Sequence, residues 1–152
     1  MELSEVIGRR RSIRYLLPHR PVEREKIQRM LEAARLASHW GNVGSLRALV
    51  VERDKASQEV LDALPSPVGG FQIQLAPVII VWFLETDAID HAGDRLRELV
   101  EVGAIGLGDK RRETLEKTLV PIFKQLAPAM KLPGLNELDC GQGIAQATLA
   151  AF

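Results

Sequence analysis

Ala76-Pro77-Val78-Ile79-Ile80-Val81-Trp82-Phe83-Leu84 is the strongest strand signal in the chain. The run is continuously apolar and rich in β-branched residues, which predicts a strand covered on both faces. Leu46-Arg47-Ala48-Leu49-Val50-Val51-Glu52 gives a second strand, and no third segment is convincing. Helical spacing dominates elsewhere. Leu3, Val6 and Ile7 predict a short helix over 3–10. Ile27, Met30, Leu31, Ala34 and Ala37 share one face of a helix over 23–37, with Glu23 and Glu25 in its first turn and Arg35 in its last, as the helix dipole prefers. Further helices are predicted over 55–64, 87–101 and 109–126. A last one starts near Asp139 and carries Ile144, Ala145, Thr148 and Leu149. Breaks fall at 13–20, at the Ser38–Leu46 loop, at Pro65, Pro67, Gly69 and Gly70, at Gly103, Gly106 and Gly108, and at Pro128, Pro133 and Gly134. The expected fold class is α+β, with helices around a small sheet.

Two features ask for completion. A lone two-stranded sheet is marginal without further cover. The apolar last helix stops at Ala150-Ala151-Phe152 with no glycine cap or terminal cation. A second copy of the chain would cover these surfaces, or a following segment would.

Composition narrows the function classes. The 152 residues suggest one domain, 1–152. Hydrophobic residues at 46% and charged residues at 26% are those of an ordinary globular protein. Zero formal net charge argues against a whole-chain polyanion binder, so no nucleic-acid partner is expected. A single cysteine, Cys140, excludes an intrachain disulfide and a thiolate zinc cluster. No apolar run reaches the roughly 18 residues of a membrane span, and Met-Glu-Leu-Ser opens no signal peptide. A cytoplasmic protein with no membrane partner is the expectation.

Few motifs carry chemistry. Gly103-Ala-Ile-Gly-Leu-Gly108-Asp-Lys110 looks like a phosphate loop, but Asp109 stands where the lysine belongs and a helix precedes it, so it is taken as a helix break. His19, His39 and His91 are isolated and make no metal-ligand spacing. Asp87, Asp90 and Asp94 are most simply a solvated helix face, so no metal is expected. No catalytic dyad is visible. The basic block Arg9-Arg10-Arg11-Ser12-Ile13-Arg14 is more telling, because residues 1–35 hold nine Arg/Lys against five Glu. In an extended segment Arg10, Ser12 and Arg14 share a face, and two guanidinium forks around a hydroxyl suit a phosphate. A solvated basic patch is the alternative on composition alone.

Taken in order, these residues resemble the N-terminal part of the nitroreductase family of FMN-dependent oxidoreductases. Arg10-Arg11-Ser12-Ile13-Arg14, then Pro21-Val22, is similar to that family's R-R-S-x-R and P-V elements. Ala33-Ala34 through Ala37-Ser38-His39-Trp40-Gly41-Asn42, then the 46–52 strand, is similar to its A-P-S-W-G-N-x-Q-P-W loop and strand. Leu75-Ala76-Pro77 leading into the 78–84 strand is the third element, and the helix at 139–151 resembles its next long helix. Aligned on Asn42, the family's Pro-Ser falls on Ser38-His39 and its Gln-Pro-Trp on Gly44-Ser45-Leu46. The family usually continues some fifty residues or more, so the expectation is a shortened member, its single domain incomplete at the C-terminal end. The resemblance implies a homodimer with FMN at each subunit junction. Arg10, Ser12 and Arg14 would hold the phosphate and the polar ring edge with Arg11 nearby, and the Ser38, His39 and Asn42 loop would approach the flavin, often from the other subunit. NAD(P)H would be the co-substrate, and a nitroaromatic, quinone or similar small molecule the electron acceptor. The flavin would carry the chemistry, with no catalytic side chain. A flavin-free relative or fragment acting as a dimeric binding module is the alternative.

Overall fold

The computed structural model describes residues 2–64, 70–106 and 108–152. The helices are α1 (Leu3–Arg9), α2 (Arg24–Arg35), α3 (Gln58–Asp62), α4 (Gly70–Leu75), α5 (Ala92–Glu101), α6 (Asp109–Thr114), α7 (Val120–Met130) and α8 (Leu135–Ala150). The strands β1 (Leu46–Glu52) and β2 (Val78–Leu84) form a two-stranded sheet. Backbone bonds at its two ends fix it as antiparallel: Arg53 N–H donates to the Pro77 carbonyl and Glu85 N–H to the Ser45 carbonyl, both at 2.9 Å. The α+β class is therefore correct.

Residues gather into two compact units. The first comprises 1–34, 48–82 and 145–152. In it Glu5 and Arg9 pair at 2.8 Å along α1. Ile27 and Ala34 are the buried positions of α2. Ser57 caps α3 by accepting the Val60 N–H at 3.3 Å. Arg53 donates from Nε to the Ala76 carbonyl at 2.8 Å and from Nη2 to the Ile73 carbonyl, which ties the end of α4 to the start of β2. Large apolar side chains remain exposed on α1 and the segment after it: Leu3, Ile7, Ile13, Tyr15 and Leu17.

The second unit, 35–47 and 83–144, holds most of the core. One buried cluster joins Val43, Ala88, Ile89, Ala92 and Met130; another joins Leu96, Val100, Leu115 and Val120. Phe123 on α7 packs against both. The period of α5 explains its part, since Ala92, Leu96 and Val100 recur every four residues on one face.

Several expectations need correction. β2 is not covered on both faces: its residues are half-buried and Phe83 is exposed, because two strands leave a sheet too narrow to sandwich itself. Gly70 opens α4 rather than continuing a break, while Pro65, Pro67 and Gly69 lie outside the described residues. The helix predicted over 87–101 begins as a 3₁₀ turn, Thr86–His91, before α5. Helix 109–126 runs on through Pro128 to Met130. Its turn at Leu115–Leu119 widens to π geometry one residue before Pro121, whose ring nitrogen has no hydrogen to donate back. The last helix starts a turn early, at Leu135, because the Glu137 carboxylate reaches back to accept the Gly134 N–H at 2.5 Å.

Candidate functional site

The basic residues lie in an irregular segment. α1 ends at Arg9, and Arg10 has φ −54° and ψ 133°, so the chain leaves the helix extended. Arg10, Arg11, Ser12 and Arg14 are all exposed. Arg11 turns back on its own chain, donating from Nη1 to the Gly8 and Arg10 carbonyls at 2.8 Å each.

The second set, Ser38, His39 and Asn42, belongs to the other unit. Its loop is built by three left-handed residues: Gly41 (φ 56°), Asn42 (φ 56°) and Gly44 (φ 62°). Asparagine tolerates that region better than most side chains, which suits position 42. The turn closes with Asn42 N–H to the His39 carbonyl at 3.1 Å and Val43 N–H to the Trp40 carbonyl at 3.2 Å. Trp40 stacks on Phe123, with centroids 5.0 Å apart and planes at 28°. Gly41 lies so close to the Phe123 ring that a Cβ there would stand 2.1 Å from Cε1. Ser38 and Asn42 are exposed, and His39 is half-buried with its Nδ1 unpartnered.

Sequence reasoning missed what holds this loop. Asp139 on α8 is buried, and its Oδ2 accepts the Trp40 N–H at 2.5 Å. Ser45 and Asn136 are also buried. The Ser45 hydroxyl donates to Asn136 Oδ1 at 3.4 Å, Asn136 Nδ2 donates to the Met130 carbonyl at 2.6 Å, and Cys140 Sγ is 4.0 Å from Ser45 Oγ. Burial pushes the Cys140 thiol up, with the Ser45 hydrogen bond opposing it. Arg47 Nη1 donates to the Gly44 carbonyl at 2.7 Å, and the same guanidinium pairs with Glu85. The one sequence signal was helical spacing: Asn136, Asp139, Cys140, Gly143 and Ala147 form the single buried face of α8.

The remaining motifs behave as structural features. Asp87 and Asp90 both pair with Lys131, at 3.1 and 2.7 Å, and these bonds, that to Asp90 first, hold its ammonium above the ordinary lysine value. Asp94 pairs with Arg97 at 2.7 Å. Among the described residues no three His, Cys, Asp or Glu gather as a metal would require. Gly103, Gly106 and Gly108 all have positive φ, and Arg111 folds across Gly106. No helix among the described residues is long and apolar enough to cross a membrane.

Fold and loop together define a helix-rich α+β protein with a small antiparallel sheet. The sequence matches the Nitroreductase family over residues 7–107, and the chain belongs to that family. Solved structures carry the same fold. A chain named a nitroreductase from Exiguobacterium sibiricum, in complex with FMN, is 24% identical with a TM-score of 0.78, over 99% of this chain and 69% of that one. A chain named an NAD(P)H:FMN oxidoreductase from Staphylococcus epidermidis is 19% identical with a TM-score of 0.77, over 97% and 67%. An enone reductase of gut-bacterial fatty acid saturation is 21% identical with a TM-score of 0.74, over 98% and 69%. No curated protein matches.

Proposed function

We propose that this chain is an FMN-dependent oxidoreductase that passes electrons from NAD(P)H to a nitroaromatic, quinone or similar small acceptor, and that it works as a homodimer. The observation that carries the reading is the family match over 7–107, which contains both candidate sets of ligand residues. The chemistry of the donors agrees. Arg10 and Arg14 bring two permanent cations and Ser12 a hydroxyl, a set suited to a phosphate ester and the polar edge of a ring. On the loop, Ser38 and Asn42 offer exposed polar side chains. His39 Nδ1 is a buried atom without a partner, and such an atom is costly unless a ligand meets it. FMN, when bound, supplies hydride acceptance and onward electron transfer.

The protein's part is then to bind and orient. Arg10 and Arg14 neutralise the phosphate charge. The loop presents its polar groups on a backbone already fixed by Phe123 and α8, so little ordering is left to oppose binding. The exposed Leu3, Ile7, Ile13, Tyr15 and Leu17 support dimerisation, since several large apolar side chains left in water on one stretch of chain favour a partner. One observation favours a flavin-free dimeric relative instead: Ser45, where the family's Gln-Pro-Trp falls, is buried against Asn136 and offers a ligand nothing.

Titration with FMN, followed by flavin absorbance and fluorescence, decides between them. Wild type should bind, and the double variant Arg10→Ala/Arg14→Ala should lose roughly a hundredfold or more in affinity, as expected for two charged hydrogen-bonding groups. Unchanged affinity in that variant would refute the phosphate assignment. A colourless wild type that takes up no added FMN would establish the flavin-free alternative.

A further inference from the structure

We infer that Asp139 is a positioning residue for the ligand-facing loop, acting on FMN only through the backbone of Trp40. The inference rests on the proposed function for the identity of the ligand. It draws its own support from the geometry of 38–45.

The loop is an awkward piece of chain. Three of its four residues from Gly41 to Gly44 are left-handed, and its two internal backbone bonds close a single short turn. A turn of this kind has little reason to keep one conformation unaided. Its downstream end is secured by the burial of Val43, by the Ser45–Asn136 bond and by Arg47 on the Gly44 carbonyl. Its upstream end, where Ser38 and His39 sit, is tied to α8 by the Trp40 N–H donating to Asp139 Oδ2. His39 adds no side-chain cap to the turn.

The position of that fastening matters. The Trp40 N–H belongs to the peptide group shared with His39, so fixing it fixes the His39 carbonyl and the direction in which the His39 side chain leaves the backbone. Trp40 stacking on Phe123 then restrains the same peptide from the side-chain end. Asp139 is buried, and a buried carboxylate is retained at a cost unless it is hydrogen-bonded. Here it accepts a backbone donor that has no partner within its own turn. The bond also joins residues 99 positions apart, so α8 sets the loop from outside it. Removing the acceptor should leave the fold's buried clusters standing while the ligand-facing end of the loop becomes mobile.

The test compares Asp139→Ala with Asp139→Asn. Asparagine keeps an oxygen that can accept the Trp40 N–H, and alanine does not. FMN affinity should fall about tenfold or more in Asp139→Ala and stay within about threefold of wild type in Asp139→Asn. Amide hydrogen exchange on the flavin-free protein gives a second readout. Exchange at Trp40, Asn42 and Val43 should accelerate in Asp139→Ala, with the amides of α5 unchanged. Asp139→Ser, whose oxygen stops short of the Trp40 N–H, should show the same losses and replaces the alanine variant if that one does not fold. Wild-type FMN binding together with unaltered affinity in the alanine or serine variant would overturn the positioning role and leave the proposed function intact. Wild type that binds no FMN would overturn the proposed function, and this role with it.

Discussion

Gly41→Ala is the sharpest test of the loop geometry. A methyl group there would stand 2.1 Å from Cε1 and 2.4 Å from Cζ of Phe123, well inside contact distance. The ring cannot simply swing aside, because it stacks on Trp40 and packs against both buried clusters. Overpacking of this kind costs about 1–3 kcal/mol. Alanine at φ 56° adds roughly 1 kcal/mol more, since left-handed backbone is strained for any side chain with a Cβ. A total loss of about 2–4 kcal/mol is expected, a large share of the roughly 5–15 kcal/mol that holds a typical domain together. At about 2–4 °C per kcal/mol for a chain of this size, the thermal midpoint should drop by roughly 10 °C. Urea unfolding of Gly41→Ala, Phe123→Leu and the double variant measures the clash directly. The double variant should be more stable than the sum of the single losses allows, by about 1 kcal/mol or more, because leucine lacks the two offending atoms. A loss under about 1 kcal/mol in Gly41→Ala, or strict additivity in the cycle, would refute the account.

Two further outcomes follow from the core of the second unit. Leu115, only 2% exposed at the start of the π turn, should cost about 2–5 kcal/mol on change to alanine, seen as a lower urea midpoint at unchanged slope. Cys140 gives a pH dependence: burial raises its folded-state pKa above the unfolded thiol value, so the folded chain holds a proton that the unfolded chain has lost. The stability is fully present below about pH 8.5 and declines as pH rises from there through the folded value. Cys140→Ala should flatten that decline in unfolding measurements from pH 7 to 10, and an identical slope in both proteins would contradict the burial argument.

The fold was legible wherever it was written in local periodicity. The apolar run before Leu84 and the four-residue recurrence of Ala92, Leu96 and Val100 each point to their element from a single window of sequence. Helix ends were harder, since they depend on single contacts. Pro128 looked like a stop, but a helix already closed by the turns on either side carries a proline at the loss of one bond. Gly134 with Glu137 three residues on was a readable start signal, though a glycine beside a proline more often marks a loop. The loop's supports were legible only as residues sharing a face of α8, not as partners of the loop. Nothing near Trp40 announces Asp139, and nothing near Ser45 announces Asn136, because each partner arrives from about a hundred residues away. The need for glycine at 41 is equally invisible until Phe123 is seen against it.

The division of the chain has a consequence for the order in which it folds. The second unit draws most of its buried residues from one continuous stretch, 83–144, with Ala37, Val43 and Ser45 from 35–47. Contacts of such short range form quickly, so this core can collapse early in folding. The first unit is assembled from three separated stretches, and its last piece is 145–152. Its contacts span most of the sequence, and joining its ends costs more loop entropy than closing the second unit. The second unit is therefore expected to form first, and the first unit to close only when residues 145–152 meet its N-terminal stretches.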